Sequence, residues 1–247
     1  MTLEGERQHY LVNVRRLRPG DSVLCTDGSD RLASVTVRAV TERTITLMVD
    51  HELRNGMPHT APSVEAGSIS RGAELHAYLP LLKGRQFDRA LRQLAELGVR
   101  HIVPVFTRHC VSKSDIAADE RKRARRETIL REACQQSGRT DLPVLGQLVP
   151  LATDPDAAIA GPGVVFHEKA TTYLTDSDVE RLRREEPVVR VLSGPEGGLA
   201  DEEIAALRGA RWIVRALPTP VLRAETAAVA ASAIVFHILS RYTAGSV

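Results

Sequence analysis

Cysteine is rare in this 247-residue chain. Cys25, Cys110 and Cys134 are far apart and odd in number, and they form neither a CxxC pair nor a zinc-ligand spacing. A disulfide framework is excluded, no metal is expected at the site, and a reduced, cytoplasmic chain is. Apolar runs of about 18 uncharged residues are missing too, which argues against a membrane helix. The N-terminal "MTLEGERQHY" is polar and acidic, so no secretory signal is visible. Lysine occurs only at Lys83, Lys113, Lys122 and Lys169, against 33 basic residues in all. The remainder is arginine, which suits bidentate phosphate contacts, although base composition produces the same bias. The formal net charge is only +2, so bulk charge does not announce a nucleic-acid partner. Two nucleotide fingerprints are absent: there is no GxxxxGK[ST] and no GxGxxG.

What remains is an ordinary globular composition, 43% hydrophobic and 26% charged, enough for one large α/β domain or two small ones. Residues 22–49 carry β-branched runs broken by "DGSD" and "TER", and no helix of length is expected before residue 84. Residues 55–72 are rich in Gly, Pro and Ser and read as a linker. The pattern then alternates. "AELHAYLPLL", "HIVPVF", "GVVFHE", "VVRVLS" and "RWIVRAL" read as strands. Between them, "RQFDRALRQLAELG" places Phe87, Leu91, Leu94 and Leu97 on one helical face, with Gly98 as its stop. A charged helix is expected over 115–137, others over "DSDVERLRRE" and "ADEEIAALRG", and a last one over 224–241. Apolar strands alternating with helices imply a parallel sheet covered on both faces.

The stretch "LSGPEGGLADEEI" follows the "VVRVLS" strand. Ligands of open α/β sheets bind at the carboxyl ends of strands, and glycines let backbone approach them. The glutamate of this elbow, Glu196, reads as enclosed by the turn. Acids at 201–203 suit a helix N-terminus but repel a phosphate placed there. A ligand without phosphate is therefore favoured. A second irregular loop, "LPTPVLRAETA" at 217–227, follows the next strand, and the two flank one crevice.

These two loops resemble the paired "GPEGG" and "ILR-x-ETA" signatures of the bacterial 16S rRNA (uracil-N3)-methyltransferase family, within the SPOUT methyltransferases. "AELGVRHIVPVF", "REACQQSGRTDLPVL" and the opening "HYLVNVRRLRPGDSVLCTDG" are similar to further segments of that family, so the likeness spans nearly the whole chain. It implies an N-terminal PUA-like β-barrel over 1–71 and an α/β methyltransferase domain over 72–247 with a C-terminal trefoil knot. It implies S-adenosylmethionine as cofactor, bordered by Leu192, Gly194, Gly197, Gly198, Leu217, Pro220 and Leu222. It implies 16S rRNA or the small ribosomal subunit as partner and a homodimer, with neither a membrane nor DNA involved. The chain departs from the family at Val14–Arg16, at Arg92–Gln93 and at His109, positions that bear on RNA more than on cofactor.

Uracil N3 carries a proton that something must accept, or whose anion something must stabilise. Glu196 is the first candidate base; the alternative is a carboxylate tied to loop amides. Arg223 and Arg139 are candidates for RNA phosphate or the uracil anion, with an ion pair to Glu225 as the plainer role for Arg223. In the run 120–132, most charges read as a solvated helix face and Arg125 as a possible RNA contact. Residues 1–71 hold equal numbers of acids and bases, so only His9, Arg15, Arg16 and Arg18 make a local basic patch there. The small residues of the last helix suit packing on its own sheet or a dimer seam. Three functions fit: a 16S rRNA uridine N3 methylase, a SPOUT methylase of another RNA site or atom, and a non-catalytic RNA-binding relative.

Overall fold

The computed structural model describes residues 1–29, 31–53, 74–110, 120–151, 159, 161–185 and 187–243. The chain divides into two compact units, Met1–Glu65 and Ala66–Val247. The expected linker 55–72 and domain boundary lie outside the described residues.

In the first unit four antiparallel strands, β1 (Thr2–Glu4), β2 (Ser22–Thr26), β3 (Leu32–Val40) and β4 (Thr44–Leu53), pair in the order β1-β4-β3-β2. Alternation along β3 and β4 turns Val35, Val37, Ile45 and Leu47 inward as the core of this unit. Between β1 and β2 lie a short helix, α1 (Gly5–His9), and a π-helical turn over Tyr10–Val14. The sequence pattern gives no helix here. Segments of this length have no helical stability of their own; Leu11 and Val12 pack against the sheet core and fix the turn.

In the second unit seven parallel strands run in the order β11-β9-β10-β5-β6-β7, with β8 also on β6. They are β5 (Glu74–Pro80), β6 (His101–Phe106), β7 (Val144–Leu145), β8 (Val149–Pro150), β9 (Gly163–Phe166), β10 (Val188–Ser193) and β11 (Ile213–Arg215). The expected strands are present; the two-residue β7 and β8 are too short to leave a period in the sequence. Helices α2 (Gln86–Leu97), α3 (Glu120–Ser137), α4 (Asp176–Glu185), α5 (Asp201–Gly209) and α6 (Ala224–Thr243) cover the sheet. Phe87, Leu91 and Leu94 of α2 are buried as expected, and α2 ends at Gly98, whose φ of 105° turns the chain out of the helix. Before α3, residues 115–119 of the expected helix lie outside the described residues. Its Arg126 lies 4.5 Å over the Phe87 ring, and Ile129, Leu130, Ala133 and Cys134 are buried.

The chain crosses from β9 to β10 toward the middle of the sheet, then leaps back past β9 to β11 at the edge. Helix α6 then returns to pack on α2, α4, β5 and β10. The strand order therefore reverses at β9 and β10, which is where an open α/β sheet leaves a crevice at its carboxyl ends. Among the described residues no helix is long and apolar enough to cross a membrane.

Candidate active site

Loops after β9, β10 and β11 meet at this end of the sheet. His167 N–H donates to Arg215 O at 2.9 Å, Ala216 N–H donates to Thr172 O at 2.8 Å, and Tyr173 pairs with Ala216.

The elbow after β10 is closed on itself. Gly198 N–H donates to Pro195 O at 2.9 Å, and Gly198 has φ +70°, a left-handed conformation that favours glycine. A Cβ on Gly194 would stand 3.2 Å from Gly198 Cα and 3.3 Å from Leu199 N. Glycine at 194 is thus required by the return of the loop backbone as well as by any ligand.

Two glutamates of the elbow exchange the roles the sequence suggests. Glu196 is exposed, and its Oε1 accepts the Lys83 N–H at 2.9 Å. The enclosed acid is Glu203, 1% exposed. Its two oxygens accept Ala200 N–H at 2.9 Å and Arg108 N–H at 2.8 Å, binding the first turn of α5 to the segment after β6. The other acids of that turn are paired as well, Asp201 with Lys169 at 3.2 Å and Glu202 with Arg108 at 3.1 Å. His109, at a position of family departure, packs against the elbow: its Nδ1 lies 3.2 Å from Gly198 O, and its Cβ stands 2.8 Å from where a Cβ on Gly197 would be.

The loop after β11 runs over residues 216–223. Leu217 and Leu222 are half-buried, Leu217 against the main core, while Pro220 is exposed and Val221 is 88% exposed. Leu192 is fully buried with Val105, Val165 and Trp212, so its side chain belongs to the core and not to the crevice wall. Arg223 is exposed where α6 begins. With Arg85, Gln86, Arg89 and Glu225 it lines a cavity of about 220 Å³. Glu225 is 4% exposed. Among the described residues no ion pair joins Arg223 to Glu225, contrary to the plainer role above.

Sequence reasoning missed His167. It directly follows β9, its side chain is 5% exposed, its Nδ1 accepts the Lys169 N–H at 3.2 Å, and its Nε2 is buried without a hydrogen-bond partner. Ser193 Oγ, at the end of β10, is likewise buried and unpartnered. Buried polar atoms without partners at strand ends fit a polar ligand. A histidine one residue past a buried strand was the signal available.

The remaining candidates fall elsewhere. Arg139 is a correction: its guanidinium donates to Asp141, to Ala95 O at 2.6 Å and to Val99 O at 3.0 Å, and its side chain is 9% exposed. It ties the end of α2 to the chain before β7 and presents no face to RNA. Arg125 pairs with Asp88 at 2.7 Å on the α2–α3 surface. In the first unit His9, Arg15 and Arg16 are exposed; His9 Nδ1 lies 2.9 Å from Asn13 Nδ2 and Arg16 has φ 57°.

A parallel α/β sheet with a crevice at its strand order reversal, preceded in the chain by a small β unit, defines an α/β enzyme domain that follows an accessory domain. The family described as RNA methyltransferase domain matches residues 70–236, and the RNA methyltransferase PUA domain matches residues 3–49. The chain belongs to this RNA methyltransferase family, as the two loops led one to expect. The ribosomal RNA small subunit methyltransferase E of Mycobacterium tuberculosis is 28% identical, over 99% of this chain and 88% of that protein. Its namesake in Bacillus subtilis is 26% identical, over 92% and 85%. The fold is shared with the Neisseria gonorrhoeae ribosomal RNA small subunit methyltransferase E bound to S-adenosyl methionine, at a TM-score of 0.75 and 22% identity over 95% of this chain and 90% of that one.

Proposed function

We propose that the protein methylates N3 of a uridine in 16S rRNA with S-adenosylmethionine as donor. The observation that supports this is that the glycine elbow 194–198 and the loop 216–223 follow two parallel strands, β10 and β11, and so leave the same carboxyl end of the sheet on either side of β9. Acids at the start of α5 make that end of the sheet inhospitable to phosphate and leave it open to a phosphate-free nucleoside. Gly194, Gly197, Gly198, Leu217, Pro220 and Leu222 border the cofactor, with Leu192 supporting the elbow from the core. When bound, the sulfonium supplies an electrophilic methyl group, so the protein's task is to position the acceptor and manage its proton.

Arg223, beside Arg85 and Arg89, supplies positive charge for the uracil anion that forms as N3 loses its proton. Glu196, already accepting the Lys83 N–H, anchors the elbow. The N-terminal domain, expected over 1–71, binds RNA through His9, Arg15 and Arg16, and Arg125 is a peripheral contact. The working form is a cytoplasmic homodimer with a C-terminal trefoil knot; the 88% exposure of Val221 favours a covered surface there.

Calorimetry with S-adenosylmethionine and mass mapping of 16S rRNA from a deletion strain test the proposal. Loss of 3-methyluridine from the decoding region is expected. Its persistence removes the uridine assignment, and absence of cofactor binding removes the enzyme reading altogether.

A further inference from the structure

At the opposite end of the sheet, β5 and β6 begin side by side, with His76 directly opposite His101 in register. Glu74 lies two residues before His76 and so shares its face of the sheet. The two imidazoles stack with centroids 4.2 Å apart and planes at 30°. Glu74 Oε2 is 3.5 Å from His76 Nε2 and 3.9 Å from His101 Nε2, and one donor atom from each residue falls within 4.8 Å of the others.

A neutral histidine pair organised only by a carboxylate would donate at least one hydrogen bond to it at about 2.9 Å. Neither ring does so here, and His76 Nε2 is buried without a hydrogen-bond partner. In a tetrahedral ion site with metal–ligand bonds of about 2.0–2.1 Å, donor atoms stand roughly 3.3 Å apart. The two carboxylate–imidazole distances, 3.5 and 3.9 Å, lie within about 0.6 Å of that spacing, and the imidazole donors stand no more than 4.8 Å apart, so the stacked rings must turn toward each other to close the site. Side-chain exposures of 19% for His76, 37% for His101 and 41% for Glu74 leave an entry path.

We propose that Glu74, His76 and His101 form a three-ligand site for a divalent transition cation of borderline softness, zinc before others, completed by water. Two imidazole nitrogens and one carboxylate oxygen disfavour magnesium and calcium, which take oxygen ligands. Arg190 of β10 is the register partner of His76 and the opposing charge. It donates to Pro162 O at 3.3 Å, and its presence moderates the affinity. The histidines lie toward the amino ends of the strands, about 13–17 Å of strand from their carboxyl ends at about 3.3 Å per residue. The ion therefore clips the starts of β5 and β6 together and takes no part in chemistry at the carboxyl ends.

The test is a titration of the metal-stripped full chain with ZnCl2 at about pH 7.5, where histidine is neutral. One site per chain, a raised melting temperature, and the strong visible absorption of tetrahedral Co2+ on cobalt substitution are expected. His76→Gln with His101→Gln should weaken binding by at least about tenfold and remove the cobalt band, with circular dichroism and Trp212 emission unchanged. No zinc binding by the parent chain, or equal binding by the double variant, overturns the proposal. If the double variant does not fold, Glu74→Gln decides in its place: unchanged zinc affinity and an unchanged cobalt band reject the site.

Discussion

Replacing Glu203 by alanine should cost far more than replacing Glu196, although Glu196 sits in the glycine motif and Glu203 does not. Glu203 is 1% exposed and accepts two backbone N–H groups, those of Ala200 and Arg108. Alanine leaves both donors without a partner. A buried donor left unsatisfied costs about 1–3 kcal/mol. The Arg108 bond is only partly buried, so a total of about 3 kcal/mol is expected rather than the upper sum. In a unit of this size 1 kcal/mol moves the melting temperature by about 2–4 °C, so the expected fall is about 6–12 °C. Glu196→Ala frees one N–H that water can reach and should stay within about 0.5 kcal/mol. Glu203→Gln keeps one acceptor oxygen and should fall between. The protein's single tryptophan, Trp212, is 3% exposed in the same cluster as Leu199 and Leu207, so its emission reports this unit alone. Equal melting temperatures for the two alanine variants would refute the assignment of Glu203 as the strut of the elbow.

Arg139→Ala should destabilise the second unit by about 3 kcal/mol, as loss of one partner of a buried pair does, while RNA affinity per folded molecule stays constant; a selective loss of RNA binding in filter assays contradicts this. For Asp178, burial raises the carboxyl pKa, but hydrogen bonds from Arg215 and Thr175 outweigh it and the net shift is downward. A folded pKa below the unfolded value of about 3.9 means stability present above that pH and lost as pH falls through the folded value. Asp178→Asn should therefore lower the melting temperature at neutral pH, with the gap to the parent closing on acidification; a gap independent of pH sinks the argument. Arg15→Glu with Arg16→Glu should weaken RNA binding and flatten its salt dependence by roughly two phosphate contacts without changing cofactor affinity; an unchanged salt slope counts against the patch. Arg223→Ala should lower the turnover number by about a hundredfold and Glu196→Gln by only a few-fold; the reverse ranking in single-turnover methyl transfer restores Glu196 as base.

The elements that bury a continuous face were legible in the sequence. Phe87, Leu91 and Leu94 repeat at helical spacing, and "VVRVLS" is mostly apolar because β10 has strand neighbours on both sides and buries Val189, Val191 and Leu192. The helical turn at Gly5–Val14 was not legible, since only its contact with the β3–β4 core holds it. At the site, the glycines identified the elbow, but burial is decided by the fold and not by the motif. Glu203 reads in sequence as one of three acids opening a helix, and only the approach of Arg108 from the end of β6 encloses it. Arg139 reads as a free cation for the same reason: its carbonyl partners Ala95 and Val99 lie more than a helix away along the chain. Spacing rules likewise cannot find Glu74, His76 and His101, whose donors converge across two strands.

These displacements bear on how the N3 proton is managed. A general base must have a free lone pair within hydrogen-bond reach of the proton it removes. Glu196 accepts the Lys83 N–H through Oε1, in the turn that leads directly to Arg85, and keeps other lone pairs for a proton. That same turn and the start of α6 line the cavity holding Arg85, Arg89 and Arg223. In the proposed mechanism the three arginines lining this cavity would stabilise a deprotonated acceptor. Glu225 lines the same cavity and is 4% exposed. In that mechanism the elbow would hold the donor and the arginine cavity the acceptor's charge, with Glu196 tied to the backbone of Lys83 between them.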